Sequence, residues 1–343
     1  MSTFQFNLTH KCNLNCPFCY SYRNNDVMTE EVIDGGIEFA IGRIKCESID
    51  TNHFISFSGG EVFLGHYEKI PYIIDKIKES CPDNKIQFIL QSNFTLFYID
   101  TNEQALEVLK KVDSIGTSYD EGRNVRFSTL SSRLTFDYNL NYIKNNYPEK
   151  EFEVIICITT ELLNKYPDPK ELFNVLINND IKKFELERLC KPLEARPSYD
   201  DFIIRPKNNI VRDWLTKAYE IYKKYQKLYP ELSIATFESM EDSVKGIYHY
   251  DYGRNCQRQS FTILPNGDVG QCFINIDKPF YNVLTKELNI DNYEEICQRE
   301  EKVDDNCKKC KYFKYCRGGC CKMEKDDTGC PTPYKIFEEI GEF

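Results

Sequence analysis

Residues 3–20 read TFQFNLTHKCNLNCPFCY. Phe4, Phe6 and Leu8 alternate with polar neighbours, the period-2 pattern of a strand with one apolar face. The strand runs directly into Cys12, Cys16 and Cys19, spaced Cys-x3-Cys-x2-Cys. Three thiolates this close can hold three irons of a cubane [4Fe–4S] cluster and leave the fourth iron to an exogenous ligand. A zinc site would want a fourth Cys or His, for which His10 is the local candidate. The end of a first strand is also where parallel α/β folds place their ligands.

Working outward, strand-like and helix-like segments alternate. Thr29 with Glu30 and Glu31 marks a helix start, followed by an apolar face of Val32, Ile33, Ile37, Ala40, Ile41 and Ile44. Strands are expected at 53–58, 86–91, 114–118, 152–159 and 182–189, and helices at 68–80, 103–112, 134–146 and 169–179. Six strands separated by five helices imply right-handed crossovers and a parallel sheet, doubly wound or barrel-like. Residues 208–229 read as a long amphipathic helix. Beyond Tyr250 the texture changes. Residues 260–264 and 269–273 read as a hairpin around Pro265-Asn266-Gly267-Asp268, and the rest as short, cysteine-rich and loop-like. The expected division is 1–205, 206–250 and 251–343.

The chain has 343 residues, 41% of them hydrophobic, and a net charge of −10, which argues against a nucleic-acid binder. No apolar run has the length of a membrane helix and no signal peptide is evident, so a cytoplasmic protein is expected. Sixteen cysteines are too many for an ordinary cytoplasmic chain unless they serve metal or redox chemistry. Beyond the first three, Cys46, Cys81, Cys157 and Cys190 are scattered, the first two with Cys297 at helix faces or ends and Cys157 in a strand core. The others crowd the last quarter, where Cys307-x2-Cys310-x5-Cys316-x3-Cys320 is followed by Cys330 and preceded by Cys256 and Cys272.

The run CNLNCPFCY resembles the signature of the radical S-adenosylmethionine (SAM) enzymes, with Phe18 as its aromatic residue. Further elements fall in the family's order. Ser58-Gly59-Gly60-Glu61 is similar to the GGE motif that binds the amino end of SAM, its glycines letting backbone approach ligand. Ser92-Asn93 follows the third strand. Ser118-Tyr119-Asp120 resembles the S-x-D element near the ribose, and Arg126, with Arg133 as rival, an arginine on the SAM carboxylate. Cys190 ends the sixth strand. It is either a packed thiol, an adenosine contact, or a catalytic hydrogen-atom donor as in peptide epimerases. The resemblance implies a partial (β/α)6 TIM-like barrel that binds SAM.

The last cysteines resemble the seven-cysteine SPASM motif of peptide- and protein-modifying relatives. It implies two auxiliary [4Fe–4S] clusters and three in all. One would be held by Cys307, Cys310, Cys316 and Cys330, the other by Cys256, Cys272 and Cys320. The second set lacks an upstream fourth cysteine, so its fourth iron either takes a substrate thiolate or is closed by Cys321. A pair of zinc ribbons would want two C-x2-C knuckles, and only one is present. Anaerobic sulfatase-maturing relatives carry an Asp where this chain has Phe273, which sets the resemblance against formylglycine formation.

The expected function is therefore a maturase acting on a ribosomal precursor peptide, installing a thioether, a C–C crosslink, an epimerised residue or an excision. The resemblance adds a flavodoxin- or ferredoxin-type electron donor. With eleven residues before Cys12, it also implies a separate leader-binding protein or recognition by the catalytic domain itself. A sulfatase-type maturase and a zinc-ribbon scaffold are the alternatives.

Overall fold

The computed structural model describes residues 2–120, 126, 129–192, 199, 201–248, 256–272, 276–301, 303–320 and 322–341. Among the described residues, ten strands form one sheet: β1 (Ser2–Asn7), β2 (Asn52–Ser58), β3 (Lys85–Gln91), β4 (Ser114–Ser118), β5 (Glu151–Ile158), β6 (Lys183–Arg188), β7 (Ser233–Ile234), β8 (Ser260–Ile263), β9 (Asp268–Gly270) and β10 (Tyr281–Asn282). Their order is β10-β9-β8-β1-β2-β3-β4-β5-β6-β7. From β1 to β7 the pairing is parallel and the order follows the chain without reversal. A doubly wound sheet reverses at a switch point; a sheet that never reverses keeps its crossover helices on one face, as a barrel does.

The register shows why the alternation in residues 3–8 decides the fold. Phe261, Phe4, Ile55 and Phe88 stand in one row across four strands, and Ile263, Phe6, Phe57 and Leu90 in the next. All eight are buried. The helices present matching stripes, such as Ile70, Ile73, Ile74 and Ile77 on Ile70–Ser80. Caps set their starts: Thr29 Oγ1 accepts from Val32 N at 3.4 Å, Asn102 Oδ1 from Ala105 N at 3.0 Å, and Asp168 Oδ1 from Lys170 N at 3.0 Å. The opposite face of the sheet is more polar. There Gln5 donates to Ser58 Oγ and accepts from Thr262 Oγ1.

Several expectations shift. The helix expected from residue 134 begins at Leu130, because Thr129 and Ser132 form a capping box four residues ahead of the apolar stripe. The region around 230–255, expected as a boundary, contains β7 and the helix Ala235–Val244. The cysteine-rich segment contains a further helix, Ile290–Glu301. Its hairpin lies where expected, with Gly267 at φ +87°, but it extends the main sheet: β8 pairs in parallel with β1, Phe4 opposite Phe261. The divisions at 205 and 250 thus do not interrupt the sheet. The long helix, Asn208–Gln226, is bolted to the C-terminal segment at its first turn. Asn208 N–H donates to Asp326 Oδ2 at 2.8 Å, and Asn209 N–H to Thr328 Oγ1 at 3.0 Å.

Candidate active site

The loop after β1 is closed at its neck. His10 N–H donates to Asp26 O and Met28 N–H to Leu8 O, each at 2.9 Å. Inside it, the Arg23 guanidinium donates to Cys16 O and Asn15 Oδ1. Cys16 and Phe18 are buried with Leu14, Cys157, Tyr199 and Ile204 in a small cluster of their own. Asn93, after β3, reaches into this loop: its Nδ2 donates to Asn13 Oδ1 at 3.0 Å and lies 3.8 Å from Cys12 Sγ.

The loop after β2 is stitched to the same segment. Gly60 N–H donates to Thr9 O and Glu61 N–H to Lys11 O, both at 2.7 Å. A Cβ on Gly60 would sit 2.5 Å from His10 O and 2.7 Å from Lys11 C, and one on Gly59 would press on Thr9. The close approach these glycines permit is therefore between two loops of the chain itself. Glu61 is buried; its carboxylate accepts from Ser92 Oγ at 2.7 Å, Asn93 N at 2.8 Å and Phe63 N at 3.3 Å. Burial raises its carboxyl above the ordinary range, and these hydrogen bonds pull the other way.

Asp120 is buried at the end of β4. Its Oδ2 accepts from Arg126 Nε at 2.6 Å and its Oδ1 from Cys157 N at 2.8 Å. It holds the arginine and the end of β5 in place. Arg126 lies 5.8 Å over the Phe18 ring; burial is the largest influence and opposes its charge, but Asp120, Cys16 and Cys157 together outweigh it and raise its pKa. Arg133 is engaged elsewhere, with both oxygens of Asp137 at 2.9 Å and with Tyr119.

One cavity of about 190 Å³ gathers these pieces: Cys12, Cys16, Phe18, Cys19, Gly59, Gly60, Glu61, Ser92, Asn93, Ser118, Arg126 and Cys190 all line it. Ser58 and Asp120, both buried, are not among its lining residues. Tyr20, Cys157 and Glu187 also line the cavity and were not singled out from the sequence as site residues. Tyr20 directly follows Cys19, and Glu187 takes an alternate, inward position on β6; those are the only signals they carry.

In the C-terminal segment, Cys316 is buried and feels Cys310, Cys330 and Cys307. Burial first, and these neighbours second, push its thiol up to about 11, while Gly318 N–H, 3.4 Å from Sγ, opposes. Arg212 fixes the Cys330 carbonyl. Lys308 and Lys311 pair with Asp305 and Glu338 at the surface. Cys272 packs against Cys190, with Cys320 beside them. Cys256 begins a single helical turn, but its side chain lies outside the described residues, as do Phe273, Cys321 and residues 249–255.

These sets suit iron–sulfur clusters. Ionising buried thiols that repel one another needs a compensating cation. Among the described residues, no three Cys, His, Asp or Glu side chains converge on a point for a single ion. A cubane does not require that, since each thiolate binds a different iron. Among the described residues, no helix is long and apolar enough to cross a membrane.

A family model described as a 4Fe-4S single cluster domain matches residues 4–128. An uncharacterized protein of Methanocaldococcus jannaschii is 29% identical over 207 residues, 57% of this chain and 66% of that protein. A cysteine-type anaerobic sulfatase-maturating enzyme of Clostridium perfringens is 23% identical over 97% of this chain and 93% of its own. The structure of anSMEcpe with bound AdoMet and Kp18Cys peptide has a TM-score of 0.78 at 21% identity, covering 98% of this chain and 96% of that one. Streptococcus suis SuiB bound to the precursor peptide SuiA gives 0.60 at 19%, covering 93% and 71%. The chain is thus similar in fold, over nearly its whole length, to the anaerobic sulfatase-maturating enzyme, and its first third matches a 4Fe-4S cluster domain.

Proposed function

We propose that the chain modifies a ribosomally made peptide in the cavity at the strand ends. The observation that carries this is the composition of that single cavity. Its walls bring together the three cysteines after β1, the residues of the SAM motifs and, through Cys190, the auxiliary cysteine Cys272. When bound, the cluster and SAM supply one electron and a 5′-deoxyadenosyl radical that takes hydrogen from the substrate. The chain's own part is positional. Cys12, Cys16 and Cys19 would hold the cluster on a loop braced by Gly60, Glu61 and Asn93. Ser118 and Arg126 offer a hydroxyl and a fixed positive charge to the ribose and carboxylate of SAM. Phe18 and the surrounding apolar cluster exclude water, which protects a radical from quenching. Two auxiliary clusters in the C-terminal segment and a ferredoxin- or flavodoxin-type donor complete the reading.

The test is anaerobic reconstitution with SAM, dithionite and candidate precursor peptides, taken first from any short reading frame found beside the gene. The expected result is about twelve irons per chain, 5′-deoxyadenosine, and a peptide altered in mass or stereochemistry. No 5′-deoxyadenosine, or zinc in place of iron, overturns it. A second reading, formylglycine formation on a sulfatase, is favoured by a kinship that runs the length of both chains. Exchange of a thiol for an aldehyde in a cysteine-bearing sulfatase peptide would establish it in the same assay.

A further inference from the structure

We propose that Cys190 is the fourth protein ligand of the auxiliary cluster held by Cys256, Cys272 and Cys320. The inference rests on the SPASM reading of those cysteines and concerns how that cluster is closed. Three sequence-matched cysteines leave one iron without a protein ligand. The structure brings a fourth thiol to the place from a different element. Cys190 lies two residues beyond β6, is buried, and packs directly on Cys272, with Cys320, Met323 and Tyr20 against the pair. Its position is fixed from both sides of the contact. Lys191 N–H donates to Lys322 O at 2.9 Å, tying the end of β6 to the segment that carries Cys320. Glu324 clamps the same junction, through Lys191 at 2.7 Å and the buried Arg205 at 3.1 Å. Cys321, the rival ligand offered by the sequence, lies outside the described residues, and its alanine variant is one of the forms compared in the test.

Assembly is a ligand exchange without change of oxidation state. The Cys190 S–H bond breaks, the proton passes to solvent, an Fe–S bond forms, and the water or hydroxide on that iron leaves. Because Cys190 also lines the SAM cavity, the auxiliary cluster then forms part of the active-site wall. No iron stays open for a substrate thiolate, and Cys190 is not a hydrogen-atom donor.

The test avoids turnover. The full-length chain carrying Cys12→Ala, Cys16→Ala and Cys19→Ala is reconstituted without SAM or peptide, so only auxiliary clusters remain, about eight irons per chain. Four forms are compared: this parent, and the parent with Cys190→Ala, Cys190→Ser or Cys321→Ala. Each is oxidised with ferricyanide and read by EPR and Mössbauer spectroscopy. A three-cysteine cubane sheds its unligated iron and gives the [3Fe–4S] signal. The expected result is little such signal in the parent and in Cys321→Ala, and about one spin per chain in Cys190→Ala. Cys190→Ser should keep the iron with an altered spectrum, oxygen having replaced sulfur; should the alanine form fail to fold, that altered spectrum decides. A full signal in the parent, or spectra indifferent to residue 190, overturns the proposal while leaving the maturase reading standing. A chain that binds no iron at all removes both.

Discussion

Gly60→Ala separates two meanings of the GGE motif. If the glycine exists to let backbone approach SAM, a methyl group weakens SAM binding and spares the cluster. The structure predicts the reverse. The added Cβ would meet His10 O at 2.5 Å and Lys11 C at 2.7 Å. Both are backbone of the cysteine loop and have no rotamer with which to yield. Relief requires the two loops to part, which costs the Gly60–Thr9 and Glu61–Lys11 hydrogen bonds. Two net backbone bonds at about 1 kcal/mol each and overpacking of about 1–3 kcal/mol give about 3–5 kcal/mol, directed at the loop that carries Cys12, Cys16 and Cys19. That corresponds to roughly a hundred- to several-thousand-fold greater population of the detached loop. The assay is release of iron to a chelator from the fully reconstituted protein, with the auxiliary clusters as internal reference. About four irons should leave rapidly and the rest at the wild-type rate. Gly42→Ala, where a Cβ meets nothing within 4 Å, serves as the control for adding a methyl group. Wild-type iron release from Gly60→Ala, combined with lost SAM affinity, would refute the loop-to-loop reading.

Other consequences follow from the same geometry. Asp120→Ala should destabilise the chain by about 3–5 kcal/mol in denaturant unfolding, because it leaves the Arg126 guanidinium without its buried anion; a loss under about 1 kcal/mol would contradict the pairing. Phe6→Ala, at the centre of the row Ile263–Phe6–Phe57–Leu90, should cost about 3–5 kcal/mol in the same measurement. His53 is buried with neither ring nitrogen hydrogen-bonded, and burial holds its pKa below the ordinary value against the pull of Glu47. The unfolded chain therefore binds the proton more readily than the folded one. Its contribution to stability is complete above about pH 6.5 and is lost as pH falls. His53→Leu should flatten the acid side of the stability profile, and an unchanged profile would show that folding does not shift the imidazole's titration.

How far the sequence could be read depended on whether a feature is local. Strands and their inward face were legible because Phe4, Phe6 and Leu8 alternate, and such alternation survives whatever pairs with it. The cysteine loop was legible because its chemistry demands a spacing. The helix Ile290–Glu301 was legible only at Cys297, expected at a helix face or end, since IDNYEEICQREE offers too few apolar residues to draw a stripe. The two-residue β7 falls below any pattern. The docking of β8 on β1 left no trace either: parallel pairing between segments some 250 residues apart has no turn chemistry to announce it. At the site, the motifs pointed to residues that the structure gathers around one cavity, but not to all of their contacts. Ser-x-Asp suggested a ribose contact, while Asp120 is occupied with Arg126 and Cys157. Two glycines suggested room for a ligand, while Gly59 and Gly60 make room for Thr9, His10 and Lys11. Residues around a reactive centre are selected both for touching the ligand and for holding the groups that do. A motif records both without distinguishing them. Only the partner on the far side of each contact separates the two, and the same holds for Cys190, whose meaning lies in its neighbours Cys272 and Cys320.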